Sequence, residues 1–331
     1  MEPEVTFNWT NAVTAIHPCY EIDNSQYILT KNPSIICVLL YIFLMLLCVV
    51  TISGNLLVII SVSYFQQLHT PTNYLILSLA VADLLVGVIV FPFNMVYSLS
   101  SCFYHEGLFC KVRNSFDVSL SLASILNLFC ISIDRYYAVC QPLTYRTKIS
   151  YRVIVIMILL SWGASGMNGV SFIITSLKNA NCVGQCIIDN HVENNIGPIL
   201  TFYLPVLIML CVYVKIFLVA QRQARSIQNT TCQTTKSGAS KTERKATKTL
   251  AIVLGVFIIC WTPFFLCFTY MSFTNRPAPV PVIEKLNWLT LSNSMLNPFI
   301  YAFFYSWFRS AFRMIISGKL FKGDFTHSKL S

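Results

Sequence analysis

Residues 114–136, "NSFDVSLSLASILNLFCISIDRY", decide the fold. From Val118 to Ile133 the chain carries no Asp, Glu, Lys or Arg, yet a carboxylate stands at each end of the run, Asp117 and Asp134. At about 1.5 Å of rise per residue, a helix sets these two roughly 25 Å apart, close to the thickness of a bilayer's hydrocarbon. A bare carboxylate in hydrocarbon costs several kcal/mol, so Asp117 has to face a protein interior and a positive charge. The stretch reads as one membrane-spanning helix with a charge at either face.

The rest of the chain repeats the pattern. Residues 32–82, 84–105, 153–177, 194–214, 249–275 and 286–308 contain no Asp, Glu, Lys or Arg. A spanning helix needs about 20 apolar residues, so the first interval holds two, broken at "QQLHTPTN" where Pro71 starts a helix. With the Asp117 span the total is seven. Only 11% of the 331 residues are charged and 55% are hydrophobic, a composition foreign to soluble domains. The expectation is an all-α membrane protein, a seven-transmembrane helix bundle. It divides into an N-terminal tail (1–33), the bundle (34–305), and an amphipathic helix with the cytoplasmic tail (306–331).

Lys and Arg orient it. Alternating the loops places 17 of 23 on one side, within Arg135–Arg152, Lys215–Lys248 and Arg309–Lys329. The positive-inside rule makes that side cytoplasmic and the N-terminus extracellular. The net charge of +10 is matched by anionic membrane lipid and calls for no nucleic acid. No basic-then-apolar leader is evident, so the first span is expected to act as signal-anchor. Asn8-Trp9-Thr10 is a glycosylation sequon on the outer side, whereas Asn229-Thr230-Thr231 falls in a cytoplasmic loop. Cys19, Cys102, Cys110, Cys182 and Cys186 lie outside, where disulfides persist, and five is odd, so at least one stays free within a chain. "YSWFRSAFRMIISGKLF" (305–321) interleaves aromatics with basic residues, as does an amphipathic helix on a membrane surface.

Polar residues inside spans are candidates for function. Asp83, Ser124, Asn293 and Asn297 form a mid-membrane oxygen-rich set that suits sodium, or that fixes helix packing by hydrogen bonds. Pro205, Pro263 in "CWTPFF" and Pro298 in "NPFIY" are expected to kink or break three helices around it.

Gly54-Asn55, "LAVAD" ending at Asp83, "DRY" at Asp134–Tyr136, Trp162, Pro205, "CWTP" and "NPFIY" occur in order, one per span. Together they resemble a rhodopsin-class G-protein-coupled receptor, and "NSMLNPFIYAFFYSWF" (293–308) resembles the trace amine-associated receptors, in particular an olfactory-type member. The resemblance implies a plasma-membrane receptor, no enzyme, whose partners are a small amine and a heterotrimeric G protein of the stimulatory, cyclic-AMP-raising kind. It implies that Asp117 holds the ligand's ammonium, with Arg113, Val118, Ser121, Asp189, Thr201, Trp261, Phe264, Phe265 and Thr290 around it. Aromatic rings beside a carboxylate suit such a cation. It also implies that Arg135 is held by Asp134, and by Glu243, until activation. Tyr136, Tyr213, Asn297, Pro298 and Tyr301 then take part in the change, and Pro142 and Leu143 meet the G protein. The resemblance pairs Cys110 with Cys186 and Cys19 with Cys182. No cofactor is expected beyond a bound sodium ion.

Two departures from the family bear on the ligand. Leu291 replaces a tyrosine that often clamps the aspartate, and Gly197, Pro198 and Thr201 stand where some relatives carry a second acid for diamines, so a diamine would need Asp189 or Glu284 from the loops. Arg113 lies one turn from Asp117 on the same face, in reach of a two-pronged bond to it that an incoming ammonium would have to displace. Arg113 also leaves open a zwitterionic or acidic ligand on the same fold. An amine transporter is disfavoured, because seven spans without a repeat do not fit its architecture.

Overall fold

The structure, a computed structural model, describes residues 20–23, 26–29, 35–99, 107–178, 196–229, 237–274, 278 and 280–317. Its first span is helix α1 (Ile35–Tyr64), followed by a 3-10 turn at Gln66–Leu68. Thr70 then caps α2 (Pro71–Leu85), its side chain accepting from the Asn73 amide, with Pro71 at the first helical position where a missing N–H costs nothing. The expected break at "QQLHTPTN" is thus a turn, a cap and a proline in succession.

The second span continues from α2 through a π segment, Val86–Val90, into α3 (Phe91–Leu99). The third is α4 (Gly107–Cys140), followed by the short α5 (Pro142–Lys148), and the fourth is α6 (Tyr151–Lys178). The fifth begins as α7 (Ile196–Pro198), widens into a π segment at Ile199–Tyr203 and runs on as α8 (Leu204–Asn229). The sixth and seventh are α9 (Ser237–Thr274) and α10 (Val280–Phe304). Then comes α11 (Ser306–Ile316). Outside the bundle, β1 (Tyr20–Asp23) and β2 (Gln26–Leu29) pair antiparallel, a small addition to the all-α expectation.

Two of the three prolines, Pro205 and Pro298, act differently from expectation. α9 and α10 stay helical through Pro263 and Pro298, so "NPFIY" does not break its helix. Pro205 does not break the fifth span either. Each π segment ends two residues before a proline, Pro92 or Pro205. A proline ring collides with the carbonyl four residues back, and one extra residue in the turn relieves the clash while the helix continues.

Among the described residues, six helical stretches are long and apolar enough to cross a membrane, from Val38–Tyr64 to Ala251–Thr274. α10 is the more polar seventh, because Asn287, Asn293, Ser294 and Asn297 punctuate it. It packs along α9 and against α1. α4 lies against α2, α6 and α8. The core between them is apolar, built from Val58, Leu75, Leu79, Ile131, Met209, Phe257 and Tyr301 among others. Leu159, Leu160 and Met167 of α6 and Leu207 and Phe217 of α8 face outward, as a lipid-facing surface requires.

Between spans, small residues and single polar bonds set the contacts. Ser115 and Ser119 of α4 donate to the carbonyls of Gly169 and Ser165 on α6, both at 2.8 Å. A Cβ on Gly169 would come within 2.9 Å of the Ser119 Cβ, so glycine permits this approach. Asn55 of α1 donates to the Ser294 carbonyl of α10, and Trp162 of α6 donates to Ser78 of α2. α11 buries Phe308 and Ala311, the latter against Phe65 and Leu68. Arg309 there donates to the Ala302 and Phe303 carbonyls, capping the end of α10.

Candidate functional site

Three polar groups lie along α4, one at the Asp117 end, one midway and one at the Asp134 end. At the first, Asp117 is half-buried and Ser121, one turn along, donates to its Oδ1 at 3.4 Å. Arg113, one turn the other way, is 8% exposed and is a charge facing the Asp117 carboxylate. Its two-pronged bond, however, goes to a neighbouring span. Nε and Nη2 both donate to Oδ1 of Asn94, at 3.1 and 2.8 Å. Asn287 of α10 donates to the same oxygen at 3.0 Å, while Asn94 Nδ2 donates to the Val90 carbonyl. An i, i+4 pair shares a face, and here an acceptor on the second span takes the Nε and Nη2 prongs. Asn94 and Asn287 thus tie the second, third and seventh spans beside Asp117, a role that residue type alone did not signal.

The aromatic wall stands on α9. Trp261 is buried, its ring 6.0 Å from Phe265, which stacks face to face on Phe202 of the fifth span at 4.0 Å between ring centres. Phe264 contacts Phe265 edge-on and stacks on Phe268. Tyr203, turned by the π segment, bonds Thr269 and the Phe265 carbonyl and so joins the fifth span to the sixth. Thr201 donates its hydroxyl to Gly197 on its own helix, and buried Thr290 does the same with the Asn287 carbonyl. Val118 is half-buried next to Asp117, and Leu291 is buried. Asp189, Asn8, Cys19, Cys182 and Cys186 lie outside the described residues, as do the side chains of Cys110 and Glu243.

Midway, Asp83 is fully buried and accepts hydrogen bonds on both oxygens. Its Oδ1 accepts from Ser124 (3.1 Å) and Ser294 (2.8 Å), and its Oδ2 from Asn297 (2.7 Å). Ser294 joins where the sequence pointed to its neighbour Asn293. The side-chain oxygens of Asn293 and Asn297 are buried without a hydrogen-bond partner. Unpaired oxygens beside a buried carboxylate are what a small hard cation would use, so these residues fit sodium. Gly54 lies against Pro298, where an added Cβ would approach the proline Cβ to 2.8 Å.

At the far end, Asp134 is fully buried and accepts from three groups. Thr72 donates to Oδ2 at 2.8 Å, Arg135 Nε to the same oxygen at 2.9 Å, and Tyr145 to Oδ1 at 2.8 Å. The Arg135 guanidinium also contacts the Thr72 hydroxyl. Tyr145 sits on α5, and burial, helped by the Asp134 charge, pushes its phenol up to about 12, so it stays a donor at cellular pH. Lys215 of the fifth span sits over the Tyr136 ring, 5.2 Å from its centre. Tyr213 is half-buried, and Tyr301 is buried against Tyr305 with its hydroxyl unpaired among the described residues. Pro142 and Leu143 are exposed, Leu143 at 97%.

The sequence that builds this arrangement is similar to those of known proteins. Residues 54–301 match the family described as 7 transmembrane receptor (rhodopsin family). Trace amine-associated receptor 1 of Macaca mulatta is 41% identical over 329 residues, covering 94% of this chain and 97% of its own. Trace amine-associated receptor 4 of Mus musculus is 38% identical and receptor 9 of Mus musculus 41%, each covering 94% of both chains. With a family match across most of the bundle and relatives aligned nearly end to end, this chain belongs to the trace amine-associated receptors of the rhodopsin-type seven-transmembrane family, and is a receptor, not an enzyme.

Proposed function

We propose that this receptor binds a small amine at the Asp117 end of its bundle and activates a stimulatory G protein at the Asp134 end. The observation that carries this reading is Asp117 itself: a half-buried carboxylate that faces Arg113 and whose Ser121 bond, at 3.4 Å, is long enough for a closer donor to take its place. An ammonium supplies three donors and a charge. Trp261, Phe264 and Phe265 on the adjacent sixth span give rings for a cation to rest on, with Val118, Ser121, Thr201, Thr290 and Asp189 completing the contacts.

The signal runs from the ring of Trp261 down α9. Ligand contact shifts the sixth span, and Arg135 leaves Asp134 to meet the G protein between the spans, with Tyr213 and Tyr301 receiving it. Exposed Leu143 docks on the same partner. Sodium at Asp83, Ser124, Asn293 and Asn297 favours the resting arrangement. The receptor sits in the plasma membrane among lipid, N-terminus outside, glycosylated at Asn8 and closed by Cys110–Cys186 and Cys19–Cys182. Its setting is olfactory detection of amines.

The test is a panel of biogenic amines and polyamines on cells carrying the receptor and a cyclic-AMP reporter, with radiolabelled uptake in parallel. A saturable cyclic-AMP rise without uptake supports the reading. Uptake without a cyclic-AMP rise overturns it.

A further inference from the structure

Arg113 is fastened rather than free to swing away. The residue is 8% exposed, two of its N–H groups converge on Asn94 Oδ1, and Asn94 is itself 2% exposed and tied to the Val90 carbonyl and to Asn287. Long basic side chains commonly escape to water along their stems, but burial with this anchoring forbids it here. Asn94 orients the guanidinium without neutralising it, because an amide oxygen carries no charge. The negative charge facing it on α4 is Asp117.

An ammonium arriving at Asp117 therefore enters a group that is already electrically balanced. Among these three groups, guanidinium, carboxylate and ammonium, positive charge is then in excess in a largely buried place, an expensive condition. A negative oxygen carried by the ligand beside its nitrogen restores the balance. Arg113 and Asp117 stand one helical turn apart, with about 5–6 Å between their Cβ atoms, so a short molecule bearing both charges can meet both side chains. A planar guanidinium is also suited to a carboxylate.

We propose that Arg113, positioned by Asn94 and Asn287, is the anion anchor of the ligand site, and that the site takes an amine bearing a carboxylate next to its nitrogen, the amino-acid class. The inference rests on Asp117 as the ammonium's counterion, and it narrows that reading to a zwitterion.

The experiment compares matched pairs, phenylalanine with 2-phenylethylamine, tyrosine with tyramine and ornithine with putrescine. Wild type, Arg113→Gln, Arg113→Lys and Asp117→Asn are compared by cyclic-AMP dose-response at matched surface expression. The expected result is that at least one amino acid is more potent on wild type than its amine. Arg113→Gln then weakens that amino acid at least about tenfold, the loss of one charge-assisted contact, without weakening the amine. Arg113→Lys keeps the amino acid's advantage. Wild type preferring the amine of every pair, or silence to all three amino acids, overturns the proposal. An unchanged amino-acid response in Arg113→Gln does so too. Asp117→Asn separates the two readings: if it leaves every agonist unaffected, the ammonium site itself is wrong. If it weakens them while Arg113→Gln does not, only the anion anchor is.

Discussion

Tyr145 donates a 2.8 Å hydrogen bond to Asp134 Oδ1, so the short helix α5 holds the same carboxylate that grips Arg135 through its other oxygen. Tyr145→Phe removes that bond alone. Losing one such bond costs about 1 kcal/mol, a shift of roughly fivefold in the resting equilibrium. Basal cyclic AMP in unstimulated cells, normalised to surface receptor, is expected to rise. An unaltered baseline would show that α5 plays no part in restraining Asp134.

Gly54 faces Pro298 so closely that a methyl group would come within 2.8 Å of the proline Cβ. Both partners are rigid, so Gly54→Ala forces α1 and α10 apart. Overpacking of this kind costs about 1–3 kcal/mol. Thermal unfolding of the detergent-solubilised receptor is expected at a lower temperature than wild type, with less receptor at the surface. Equal melting would mean that the two helices separate without cost.

Sodium is expected to stabilise the resting receptor by mass action, by about 1.4 kcal/mol at ten times its dissociation constant. Replacing sodium with N-methylglucamine should lower the melting temperature of wild type and leave Asp83→Asn unmoved, since the amide lacks the charge. The same shift in both would place sodium's effect elsewhere.

The spans were legible because charge is excluded from hydrocarbon, and Asp117 and Asp134, flanking the charge-free run from Val118 to Ile133, marked both ends of the third span. The motif residues were legible too, and the structure joins Asp83, Ser124 and Asn297 directly. What was hidden is which helix each polar side chain faces. Asn94 is an isolated polar residue in an apolar run and Asn287 follows the charged Glu284-Lys285, and nothing in either stretch shows that the two side chains meet. The i, i+4 spacing of Arg113 and Asp117 was correct as geometry, but nothing in it showed that Asn94 on the second span also accepts from the guanidinium. Ser294 rather than Asn293 reaches Asp83 because helical phase decides it, one residue at a time. Tyr145 could be read only once α5 was seen to fold back under α4.

The ammonium site is tested most directly by Asp117→Asn, which keeps the shape of the side chain and removes its charge. Dose-response curves for the most potent amine or amino acid on wild type are compared with the variant, at equal surface expression. The account predicts that the receptor still reaches the surface and that potency falls at least about tenfold, or 1.4 kcal/mol. A superimposable curve would contradict it.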